Sequence, residues 1–539
     1  MFEGPPVSAN HIEMTLSSDA DRSVVPTVLI CGLLTGLGWA INGMIGSAPG
    51  GSIPGAFIGM AVAGILGFAR GDGQDGSSGA LGFVRIAAFG AIGFWFGGEM
   101  TYGQMFSLTH VNIAGGSHYW WGILGTTVKG AAWQGTGAAC IGLGLMHRRY
   151  RWWEVALLMA VMTGAFVLGV ALLNRPLDSP DDLPLIRFSY DPEHPERPGR
   201  TEHWAGIWAG MVILLAYVRA VKNDRVTFRF GLFGMLGGGV GFSAGQMLQA
   251  LSWSHPEVAL PPWVDWWKVM EFTFGFVGGI AIAAAALMTR RDELVAERPK
   301  HASGSPAGWH GQASRGTSEV CPCEAPLSCK HGQDPTLTGR ALPMPLVEWT
   351  CIIIWLLLLG AYLARVPIAS FLAALPFVPG IVVLSGLTFA RWLPWVVVGV
   401  QVPLSTSVIT ATEILRAYPE DTGWTTNDGQ IVSFITVLAH AWPMVAICIL
   451  GCTVPIWIWL YGRSRRANAS VRIFRLFVSY HLFTVIVQMV WRTIHDAASW
   501  AWADLASCCQ PFWVLAGVFV LCWAVTMIWL PVQKPGESV

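Results

Sequence analysis

Fourteen apolar runs follow one another along this chain, each close to the length a membrane helix requires. Crossing the ~30 Å hydrocarbon core takes about 20 mainly apolar residues. Eight runs lie near 25–46, 53–69, 84–106, 120–146, 153–173, 204–221, 229–251 and 264–288. Six more lie near 347–364, 369–390, 392–415, 431–461, 472–494 and 511–531. The runs are continuous rather than alternating, which excludes a membrane β-barrel. The expected fold class is therefore all-α, a polytopic transmembrane helix bundle of about fourteen spans.

Composition agrees with this reading. Only 12% of the 539 residues are charged, where a soluble protein carries roughly 25%. That is too little charge to coat a soluble chain of this length. Its 33 basic residues balance 33 acidic ones, so there is no basic footprint for nucleic acid. The first 24 residues are polar, with Glu3, Glu13, Asp19 and Asp21 and no apolar core, and do not read as a signal peptide.

Basic residues are retained on the cytoplasmic side of membranes. Alternate loops hold Arg148, Arg149 and Arg151; then Arg219, Lys222, Arg225 and Arg229; then Arg290, Arg291, Arg298 and Lys300; then Arg463, Arg465, Arg466 and Arg472. The intervening loops are neutral or acidic; the largest, 174–203, carries Asp178, Asp181, Asp182, Asp191, Glu193, Glu196 and Glu202. An even span count with both termini cytoplasmic satisfies this pattern, and a bacterial inner membrane is the expected location.

The first eight spans look duplicated. A shift of 142 positions places Gly103-Gln104-Met105 on Gly245-Gln246-Met247 and Trp121 on Trp263. Repeats of about 25–146 and 153–288 would be parallel copies of four spans, related by an axis along the membrane normal. Gly55, Gly59, Gly206, Gly210 and the run Gly237-Gly238-Gly239 would let backbones approach, since close packing drives association in lipid. The same shift places Lys129 on Glu271. Each lies inside an apolar run, where an isolated charge costs at least ~2.5–3.5 kcal/mol, so an ion pair between them is expected. Glu99, Gln104 and Gln246 complete the polar candidates of this module, with Glu99 as a second partner for Lys129.

The domain organisation reads as a polar tail over 1–24, an eight-span module over 25–288, a linker over 289–345, a six-span module over 346–532 and a short tail over 533–539. The linker is rich in Ser, Gly and Pro. It contains Cys321, Cys323, Cys329 and His331, a set that could close a tetrahedral zinc site or hold copper(I), although C-x-C-x5-C-x-H is not a usual zinc spacing. A flexible linker without metal is the alternative. Most of the other cysteines lie within spans and read as small apolar groups.

The second module carries polar stripes at helical spacing. His481, Thr484, Gln488 and Arg492, followed by His495, keep within about 80° of one another on one helix. Ser433, Thr436 and His440 form a second stripe, and Glu413 lies beside a third containing Gln401, Ser405 and Thr412. In hydrocarbon such faces must turn toward protein or a water-filled route. A proton or substrate pathway, acid–base chemistry on a lipid-linked substrate and an interhelical hydrogen-bond network are the three readings.

Walker, Rossmann and HExxH motifs are absent from the sequence, and no residues are assigned as catalytic. The leading expectation is a transporter-like protein moving a small solute or ion, with proton coupling as a refinement. A membrane-embedded enzyme for a lipid-linked or envelope substrate, and a non-catalytic assembly or sensor subunit, are the alternatives. The expected partners are the bilayer and the solute. Oligomeric state is open.

Overall fold

The structure is a computed structural model. It describes residues 9–45, 51–66, 76–97, 108–109, 116–174, 188, 202–255, 266–297, 344–363, 377–407, 450–451, 453 and 469–499. These residues are helical throughout their ordered elements, with no strand among them. The helices are α1 (Ala9–Ile45), α2 (Ser52–Ile65), α3 (Gly76–Phe96), α4 (Gly116–Leu145), α5 (Trp152–Leu173) and α6 (Trp204–Ala216). Then come α7 (Arg225–Ser254), α8 (Trp266–Glu297), α9 (Met344–Leu363), α10 (Val378–Phe389), α11 (Leu393–Val396) and α12 (Ala469–Ser499).

Among the described residues, five helical segments are long and apolar enough to cross a membrane: Val24–Asn42, Gly79–Phe96, Trp152–Leu173, Trp204–Val221 and Trp266–Asp292. All five fall on expected spans. Helices α4 and α7 have 30 residues each, about 45 Å at 1.5 Å per residue. Neither is among the five, because Lys129, Thr136, Gln246 and other polar residues dilute their apolar character. Their polar groups are buried against neighbouring helices instead.

Two boundaries differ from expectation. Helix α1 begins at Ala9, so much of the polar tail continues the first span as helix. Helix α3 begins at Gly76 and ends at Phe96, eight residues earlier than the expected 84–106 at its start. The earlier start places Arg85 well inside the helix, where its guanidinium finds partners described below.

Six helices close a loop of pairwise packings in the order α1, α2, α3, α4, α7, α8 and back to α1. Glycine permits the tightest of these contacts. A Cβ on Gly130 of α4 would collide with the carbonyl of Gly238 of α7, and the converse collision is equally severe. Gly55 of α2 and Gly90 of α3 meet in the same reciprocal way. The expected role of these glycines in close helix packing is thus met. The hairpin of α5 and α6 lies outside the loop, with α6 against α4 and α10 against α5.

The two expected repeats pack in partly equivalent ways. Contacts of α1 with α2, α3 with α4 and α8 with α2 have counterparts in α5 with α6, α7 with α8 and α4 with α6. The extensive contacts of α4 with α7 and α1 with α8 have no comparable counterparts in α8 with α3 or α5 with α4. Gln134 of α4 donates to the carbonyl of Phe274 at 3.0 Å and lies against Gly278, both on α8.

Outward stripes of apolar residues remain exposed: Leu157, Val161, Leu168 and Leu172 on α5, Leu232, Leu236 and Val240 on α7, and Leu346, Ile353 and Leu357 on α9. Contiguous apolar surface of this extent marks an interaction face rather than a water-facing one. The described basic residues of the 147–151, 219–229 and 290–292 segments lie on one face, where Lys222 pairs with Glu154 at 3.0 Å and Arg229 with Asp292 at 2.7 Å. On the same face, Tyr150 donates to Asp224 at 2.7 Å and Arg290 donates to the carbonyl of Ile65 at 3.2 Å. We call this the basic face.

Candidate functional site

Lys129 is fully buried in α4, and its Nζ lies 3.8 Å from Oε1 of Glu202. Glu202 ends the acidic loop just before α6 and also accepts from the backbone N of Phe188 at 3.0 Å. Glu271 of α8 accepts instead from Trp267 Nε1 at 2.8 Å and Lys268 Nζ at 3.2 Å. Among the described residues the expected Lys129–Glu271 pair is therefore replaced by two separate ion pairs. The reason is packing: α4 lies against α6, and Glu202, two residues ahead of α6, is thereby brought to Lys129. Glu202 was legible as an acidic residue two positions ahead of a span, beside a span with a lone lysine.

Gln246 donates through Nε2 to Thr109 at 2.7 Å, and its Oε1 is buried with no hydrogen-bond partner. Thr127 of α4 and Ser243 of α7 share a hydrogen bond across the glycine contact. These groups and the two ion pairs lie in the same half of the bundle, away from the basic face.

The interior of the six-helix loop is aromatic. Trp39 of α1 lies edge-on to Trp133 of α4, with ring centroids 4.5 Å apart, and 4.5 Å from Phe274 of α8. Phe242 stacks on Phe274 at 4.6 Å, and Trp133 donates to the carbonyl of Phe94 at 2.7 Å. Among the described residues, Trp39 Nε1 and Gln134 Oε1 in this interior, and Asn42 Oδ1 three residues further along α1, are buried without a hydrogen-bond partner. A Cβ on Gly275 would meet the Trp39 indole, and one on Gly278 would meet the Gln134 amide. Trp39 and Gln134 thus share one glycine face of α8, about one turn apart. Unpaired buried polar groups cost about 1–3 kcal/mol each. The sequence signal was present, since Asn42 and Gln134 interrupt apolar runs, but neither was singled out.

At the basic face, Arg85 is 8% exposed. Its Nη1 donates to His147 Nε2 at 2.8 Å and its Nη2 to the carbonyl of Ala390 at 2.7 Å. Because a guanidinium has no acceptor, His147 must be neutral, with Nδ1–H directed to the carbonyl of Gly144 at 2.9 Å. Burial, and then the charge of Arg85, pull the His147 imidazole down to about 4. Nearby, burial and the Asp224 carboxylate push the Tyr150 phenol upward. Asp224 also caps α7 by accepting from the backbone N of Thr227 at 3.0 Å. Arg85 was missed in the sequence, although an ionisable residue inside an apolar run is the signal to follow.

Of the second module's stripes, Gln401, Ser405, His481 and Thr484 have described side chains; all four are buried, and Gln401 donates through Nε2 to Ser52 Oγ at 3.2 Å. His481 is fully buried, with Nδ1 2.8 Å from the carbonyl of Phe477 and Nε2 3.4 Å from Thr406 Oγ1. Its ring packs against Phe57 and Phe477, at 5.3 and 4.4 Å. Thr484 donates to the carbonyl of His481 at 2.8 Å. Tyr480 hydrogen-bonds Ser407 and the carbonyl of Pro403, the latter at 3.0 Å. In this stripe His481 is packed against aromatic side chains, and His481 and Thr484 bond carbonyls of their own helix, with the Thr406 hydroxyl as the polar neighbour from another helix.

Glu99, Gln104, Glu413, Ser433, Thr436 and His440 lie outside the described residues, as do Cys321, Cys323, Cys329 and His331; Gln488 and Arg492 lie in α12 without described side chains. Among the described residues no group of three or more His, Cys, Asp or Glu is placed to hold a metal. Cys31 and Cys140 are buried free thiols.

The fold and its apolar outer stripes have the build of an integral, multi-pass membrane protein, all-helical in its described residues. Comparison with protein-family models, curated proteins and solved structures gives no match.

Proposed function

We propose that this chain is a transporter-like protein of about fourteen spans that moves a small solute or ion across a membrane. The observation that carries this reading is the six-helix loop with Trp39 Nε1 and Gln134 Oε1 buried inside it and unpartnered among the described residues, and Asn42 Oδ1 likewise unpartnered beside them on α1. A purely structural core would be expected to pair or omit such groups. A passing solute could pair with them in turn. Support for a 4+4 parallel repeat comes from the offset of 142 residues, at which Gly103-Gln104-Met105 falls on Gly245-Gln246-Met247. The basic face is assigned to the cytoplasmic side of a bacterial inner membrane, with both termini there, on the rule that basic loops are retained. Proton coupling would draw on Lys129, Glu202, Lys268 and Glu271, titratable groups described in the opposite half.

The test is reconstitution of the full chain into liposomes. Swelling in glycerol and urea gradients reads neutral solutes, entrapped pyranine reads protons, and sodium and potassium gradients read ions. At least one probe should cross about tenfold faster than in protein-free vesicles, a difference of about 1.4 kcal/mol in barrier. Gln134→Leu should slow that probe while leaving the folded yield intact. Rates equal to those of empty vesicles for every probe would overturn the proposal.

A further inference from the structure

Arg85 is a buried cation whose two hydrogen-bond partners are neutral, the His147 imidazole and the Ala390 carbonyl. Its Nε is buried and has no partner. The nearest carboxylate acting on it is Glu348, which already accepts from the backbone N of Trp392. Arg148 lies close enough to repel both Arg85 and His147. Arg148 and Arg149 are exposed, and so is Arg391, which directly follows the Ala390 carbonyl. Positive charge is therefore concentrated where the 147–151 turn of the first half meets the 390–392 turn of the second, over a buried arginine. A charge in a low-dielectric site needs compensation.

The surroundings indicate the kind of anion. Trp152, Trp153 and Trp392 are 54%, 45% and 43% exposed beside these arginines, and tryptophan favours the level of lipid headgroups. Outward from them, α5 presents its exposed apolar stripe. A ligand with a phosphate at one end and acyl chains at the other matches both features. Basic pockets between membrane helices are suited to such headgroups, and arginine pairs with phosphate through two parallel donors.

We propose that Arg148, Arg149 and Arg391, set above Arg85, bind the phosphate headgroup of an anionic membrane lipid at the seam between the two halves of the chain. The lipid would rest its chains along α5 and join the 147–151 and 390–392 turns. This assignment does not depend on the transport reading.

The experiment uses the purified full chain in detergent. Phosphatidylglycerol should raise Tm by about 5 °C, as expected for a ligand bound to the folded state alone. Phosphatidylcholine and inorganic phosphate at matched concentration should leave Tm unchanged. Native mass spectrometry should show phosphatidylglycerol retained on the wild type and reduced about tenfold on an Arg148→Gln/Arg391→Gln variant, with Arg291→Gln as a basic-face control that keeps it. These substitutions are of exposed side chains, so the variant should fold. Equal stabilisation by phosphatidylcholine, equal stabilisation by inorganic phosphate, or undiminished retention by the double variant would each overturn the proposal.

Discussion

Arg85 and Ala390, 305 residues apart in the chain, are joined by a 2.7 Å hydrogen bond from guanidinium to carbonyl. The bond ties the third helix to the turn after α10, so the two halves meet through a buried charge. His147 holds the other arm of the guanidinium, which makes this junction sensitive to protonation.

The His147 imidazole is lowered from its ordinary 6.5 to about 4. The unfolded chain therefore binds a proton that the folded chain refuses between these values, and stability rises with pH across that window. It is complete above pH 6.5 and lost as pH falls toward 4. Arg85 and Arg148 oppose the added charge, and Glu348 is the facing carboxylate near Arg85. Thermal unfolding between pH 7.5 and 4 should show a decline in the wild type that is reduced in His147→Gln, whose amide oxygen can still accept from Arg85. Parallel declines in both proteins would refute the role of His147.

The Lys129–Glu202 pair predicts a coupled pair of substitutions. Removing either charge alone leaves the other buried and should destabilise by about 3–5 kcal/mol. Lys129→Met with Glu202→Gln should be less damaging than the sum, because glutamine keeps an acceptor for Phe188. Lys129→Met with Glu271→Gln should be close to additive, since Glu271 pairs with Lys268. Unfolding midpoints in detergent, taken as a double-mutant cycle, separate the two cases.

Two glycines in the first module should respond in opposite ways to alanine. Gly238→Ala drives a Cβ into the carbonyl of Gly130 and should destabilise by about 1–3 kcal/mol. Gly164 of α5 has open space around its added Cβ, so Gly164→Ala should be neutral or stabilising by up to about 1 kcal/mol. Comparing folded yield and Tm of the two variants checks this.

Tyr150 donates to a carboxylate that also caps α7. Tyr150→Phe should cost about 1.5–3 kcal/mol, the range for hydrogen bonds to charged groups. Unfolding midpoints measure it, and a loss below about 0.5 kcal/mol would show that Asp224 is satisfied by Thr227 alone.

Helix positions were largely readable because apolar run length is a local property, and all five segments with membrane-span length and hydropathy fell where expected. Pairings were less so. The approach of Glu202 to Lys129 depends on the packing of α6 against α4, which sequence spacing does not specify. The start of α3 differs because the small, polar stretch from Gly76 lacks apolar run character, although it is helical. His481 stood out for its stripe, yet aromatic neighbours from α2 and α12 enclose its ring.

The reciprocal contact of Gly130 and Gly238 also limits how the bundle can move. Where two backbones touch without side chains between them, neither helix can roll about its own axis without driving a neighbouring side chain into the other's carbonyl. Helices α4 and α7 are thereby fixed as a common shaft, and the same holds for α2 and α3 at Gly55 and Gly90. Any change of shape in this part of the chain must displace these pairs as whole units.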